Sequence, residues 1–62
     1  MNVKLQDLVF AGKHTLVFAV DDMTYVVKHG PNKVHAKTFK GESAWSDAQR
    51  FCWDQGDLTC NL

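Results

Sequence analysis

Leu8-Val9-Phe10-Ala11-Gly12-Lys13-His14-Thr15-Leu16-Val17-Phe18-Ala19 carries one tetrapeptide twice, at 8–11 and 16–19, on either side of a glycine-bearing break. Both copies are rich in β-branched and aromatic residues, and a short glycine-containing break between two such runs reads as a hairpin turn. Four matching residues are too few for a repeat architecture, so strand pairing is the simpler account.

Outward from this hairpin, the glycines divide the chain wherever its hydrophobic pattern breaks. Asp21-Asp22 makes the next turn, and Met23 to Lys28 is β-branched and aromatic enough for a third strand. Gly30-Pro31-Asn32 ends it, because proline lacks an amide donor and glycine permits unusual φ. From Lys33 to Phe39 the residues alternate, with Val34, Ala36 and Thr38 on one face and Lys33, His35, Lys37 and Phe39 on the other. Such alternation fits an antiparallel strand near a sheet edge, where lysines discourage edge-to-edge pairing. At the N-terminus, Val3 and Leu5 are out of phase with Leu8 and Phe10. A bulge at Gln6-Asp7 would restore the phase; alternatively Leu5, Leu8 and Val9 could open a short helix.

Ser43 to Gln55 has helical periodicity. At about 100° per residue, Ala44, Ala48, Phe51, Cys52 and Gln55 share one side, with Trp45 at its margin. Trp53 falls beyond that margin, stacked over Gln49 and next to the polar side made by Asp47, Arg50 and Asp54. Ser43 is placed to cap the helix, Asp47 favours the positive end of its dipole, and Gly56 suits the left-handed residue that closes it. The expected fold is α+β: a small antiparallel sheet of three to four strands, with one C-terminal amphipathic helix on one face. The expected elements are strands at about 2–11, 15–20, 23–29 and 33–39, a helix at 43–55 and a tail at 57–62. All belong to one domain, 1–62, near the lower size limit for a self-sufficient core.

Apolar residues make up 45% of the chain and its formal net charge is zero, which speaks for a folded chain rather than a disordered one. No run is long enough to span a bilayer, and the N-terminus lacks a signal-peptide pattern. A complete small cytoplasmic product is expected. Its charge is uneven: residues 23–40 carry four lysines and two histidines without an acid, whereas residues 41–62 carry four acids against Arg50 alone.

Two cysteines do not make a disulfide framework. Cys52 reads as a buried apolar thiol, whereas Cys60 lies in a tail expected to be loose. A turn at Gly56 could bring them together, but a reducing compartment opposes a bridge. No metal site is expected, because the cysteines and histidines lack the paired spacing zinc requires, although His29 and His35 could meet across a hairpin. No catalytic residues, phosphate-binding glycine loop or cofactor site are expected.

Two interaction features remain. The ridge of Trp45, Gln49 and Trp53, with Asp47 and Asp54 beside it, suits a protein partner, since tryptophan brings large area with few rotatable bonds. The basic segment of Lys28, Lys33, His35, Lys37 and Lys40, with aromatic Phe39, suits nucleic-acid phosphates. The first gives the main expectation: a non-enzymatic protein-binding module such as an inhibitor, antitoxin or adaptor, for example a phage-encoded modulator of host machinery. The second is the alternative, and a homodimer through the ridge or the edge strand is compatible with both.

Overall fold

The computed structural model describes residues 7–62. Four strands follow in order, β1 (Asp7–Ala11), β2 (Leu16–Asp21), β3 (Thr24–His29) and β4 (His35–Lys40), and one helix, α1 (Ala44–Asp54), closes the fold. The strands pair antiparallel in their sequence order, leaving β1 and β4 at the edges. The fold is thus a small α+β meander with one helix, and β2, β3, β4 and α1 lie within two residues of the bounds expected. The proposed bulge at Gln6-Asp7 and the strand start at residue 2 lie largely outside the described residues.

Register decides what each face of the sheet carries. Phe10, Val17, Val27 and Lys37 form one cross-strand row, and Leu8, Phe18, Val26 and Thr38 form the next, on the opposite face. A strand's side chains alternate, so Leu8 and Phe10 would ordinarily share a face. A register shift between them, at Val9, puts Leu8 on the open face and Phe10 under the helix. The two identical tetrapeptides therefore face differently: Leu16 and Phe18 share the open face, whereas Leu8 and Phe10 do not. Leu8 and Val9 belong to β1 and not to a helix.

The helix lies mainly over β3 and β4. Its inner stripe is made of small residues, Ala44, Ala48 and Cys52, all buried. These short side chains let the helix approach the sheet over Val17 and Val27, while Phe10, Tyr25, Phe39, Phe51 and Leu62 pack around that centre together with Cys60. Phe51 reaches the sheet edge, where it meets Phe39 at 5.7 Å and the His29 ring edge-on at 4.8 Å between centroids.

Three local expectations need correction. Ser43 occupies the N-cap position but makes no side-chain capping bond; instead the Ala44 amide donates to Gly41 O and the Asp47 amide to Ser43 O. Lys33 and Val34 do not belong to the last strand. Pro31–Lys33 forms a 3-10 turn with Asn32 and Lys33 at positive φ, and β4 starts at His35. Nor is the tail loose. Gly56 takes φ 104° and turns the chain back, so that Asp57 and Cys60 are buried.

Candidate functional site

The C-terminal tail is fastened at both of its own ends, Asp57 and Leu62. Asp57 is only 5% exposed. Its carboxylate accepts the Thr15 hydroxyl at 2.6 Å and the His14 amide at 3.1 and 3.0 Å to its two oxygens. Thr15 is itself fully buried, so this bond satisfies a hydroxyl that has no access to water. Burial pushes the Asp57 carboxyl up, but the Thr15 hydroxyl and the His14 and Thr15 amides outweigh it and hold the group below its ordinary value.

The clamp explains Gly12. A β-carbon there would overlap the Asp57 carboxylate and the Phe10 ring, so the β1–β2 turn can close over Asp57 only with a glycine. Gly12→Ala is expected to push the carboxylate off its donors and cost about 1–3 kcal/mol, read as a lower denaturation midpoint with an unchanged slope.

From Asp57 the tail runs back along α1. Cys60 O accepts the Trp53 indole N–H at 2.9 Å, and Gln49 Oε1 accepts the Leu62 amide at 2.6 Å. Two members of the expected ridge, Gln49 and Trp53, therefore brace the tail. Trp53 remains 39% exposed and Trp45 47% exposed, with Asp47, Arg50 and Asp54 exposed alongside. The helix thus presents an aromatic flank beside charged residues, with one indole held in place by a hydrogen bond. Leu58 in the tail is 77% exposed.

Asp57, one of the four acids of residues 41–62, belongs to the interior, and its partners lie about forty residues earlier in the chain. The sequence signal for it is faint: a lone acid after a helix-closing glycine, far from the threonine that needs it.

The basic segment does not gather onto one surface. Lys28 and Lys40 lie on the open face, in register with Ala36 and Thr24, whereas His35 and Lys37 lie on the helix face opposite His29 and Val27. The Lys37 ammonium sits 5.6 Å from the Phe39 ring centroid, and Lys33 is held in the turn. His29 and His35 do meet, as a cross-strand pair with ring centroids 5.5 Å apart. Among the described residues no group of three or more potential metal ligands converges, and no helix is long and apolar enough to cross a membrane.

The chain matches no family model, no curated protein and no solved structure. The functional reading therefore rests on its own geometry.

Proposed function

We propose that this chain is a non-enzymatic protein-binding module of the inhibitor, antitoxin or adaptor kind, acting in the cytoplasm through the Trp45–Gln49–Trp53 flank of its helix. The observation that carries this reading is the pair of part-exposed tryptophans two turns apart on one helix, one of them held by the tail. A partner that covers them gains large apolar area, and an indole already fixed loses little freedom on binding. Asp47 and Asp54 beside the ridge favour a partner surface with complementary basic groups. The row of Leu8, Phe18 and Val26, which no described helix covers, offers a second apolar surface, but it lacks the indole size and polar anchoring of the ridge. The lysines of 28–40, divided between two faces, give the nucleic-acid alternative no continuous surface.

Trp45→Ala is the cleaner test, because Trp53→Ala would also release the tail. Trp53→Phe keeps most of the ring while removing its N–H. The measurement is affinity capture from the native host's lysate, with and without nuclease, followed by titration of the captured protein. A nuclease-resistant partner should bind Trp45→Ala about 30-fold more weakly while the variant's circular dichroism stays unchanged. Capture abolished by nuclease, or affinity untouched by both substitutions, would contradict the reading.

A further inference from the structure

The reversal at Gly56 brings the two cysteines together. The Asp57 amide donates back to Cys52 O at 3.0 Å, and the Cys60 amide donates to Asp57 O at 3.2 Å. This compact turn carries Cys60 underneath the last turns of α1. Cys52 is 0% and Cys60 2% exposed, and both belong to the same core cluster. Both thiols are free and lie in one buried cluster.

We propose that Cys52 and Cys60 form a thiol–disulfide exchange site, which a low-molecular-weight disulfide converts to an internal bridge. Disulfides need their two β-carbons near and facing, and thiols held in one buried cluster by a compact turn require limited rearrangement to reach that geometry. The closed form reacts slowly, since the thiols are hidden and the thiolate is the nucleophile. Burial pushes the Cys60 thiol up, and the neighbouring Cys52 thiol pushes it further. Reaction therefore proceeds through brief release of the tail, the less deeply anchored of the two elements.

In the released form Cys60 loses its proton to solvent and attacks the small disulfide. One thiolate leaves and a mixed disulfide remains. Cys52 then loses its proton and attacks the Cys60 sulfur, forming the internal bond and expelling the second thiolate. Two protein thiols are oxidised and one small disulfide is reduced to two thiols; no other reactant is needed. Because Cys60 O holds the Trp53 indole, the bridge would also lock that side chain in the ridge, whatever partner the ridge meets.

The test incubates the reduced, folded full chain with oxidised glutathione, alkylates the remaining thiols and weighs the product. The expected product is a monomer that has lost two hydrogens and takes up no alkylating agent. It should retain the native circular dichroism and melt about 10 °C higher than the reduced chain, because a short cross-link restricts the unfolded state. Cys52→Ala should stop at the mixed disulfide, whereas Cys60→Ala, which lacks the attacking thiol, should stay reduced over the same time. Accumulation of mixed disulfides or linked dimers in the unsubstituted chain would overturn the proposal. So would a bridged monomer that melts below the reduced one, or a folded chain that stays a dithiol under conditions where the denatured chain reacts.

Discussion

Asp57→Ala is expected to destabilise the domain by about 3 kcal/mol, since it removes the shared acceptor of a buried hydroxyl and a backbone amide. Hydrogen bonds to a charged acceptor contribute about 1.5–3 kcal/mol, and a buried donor left without a partner adds its own desolvation cost. Thr15 cannot turn to water, so the loss is not recovered by solvation. Asp57→Asn should cost less, because one amide oxygen can still accept while the new amide hydrogens face donors. A domain of this length has a total stability of about 3–9 kcal/mol, so the alanine variant should populate unfolded chain measurably at physiological temperature. Urea titration of the three proteins at neutral pH reads the difference.

The same carboxylate sets an acid limit. Its folded pKa lies below the unfolded value, so its contribution is complete well above the ordinary aspartate pKa of about 3.9. As pH falls through that value and then through the lower folded one, the contribution disappears. The stability gap between the native chain and Asp57→Ala should therefore be constant from about pH 5 to 7 and shrink at lower pH. A gap that widens on acidification would contradict the assignment.

The second large effect is expected at Val27. It is fully buried at the middle of β3, between Val17 and Lys37 in register and beneath the helix. Val27→Ala should cost about 2–3 kcal/mol, combining lost burial with the cavity left behind. The helix cannot fill that space with Ala44, Ala48 and Cys52, whose side chains are already short. Val26, one residue away, points to the open face opposite Phe18, and Val26→Ala should cost less than about 1 kcal/mol. Denaturant titration reads both losses, and a larger loss at Val26 than at Val27 would mean that the helix covers the other face.

The meander and the helix were legible because each has a strong period and glycines punctuate the breaks. Helical spacing set Trp45 at the margin of the inner face and Trp53 beyond it, but not whether Trp53 is exposed, which depends on the tail. The bulge at Val9 did not, since two identical tetrapeptides invite identical facing and only pairing with β2 shows that Leu8 and Phe10 diverge. The tail was hidden for a different reason. Asp57-Leu58-Thr59-Cys60-Asn61-Leu62 has no periodicity, and its order comes from long-range bonds to His14, Thr15, Gln49 and Trp53. Lys33 misled through alternation that continues across a turn, and Ser43 through a capping preference that the backbone satisfied by other means.

A tail fastened by Asp57 holds Trp53 in a fixed, part-exposed pose. Hydrogen exchange of the two indole N–H groups, followed by NMR at neutral pH, tests it directly. Trp53 should exchange at least about tenfold more slowly than Trp45, and Asp57→Asn should narrow that difference. Equal exchange at the two indoles in the unsubstituted chain would contradict the account.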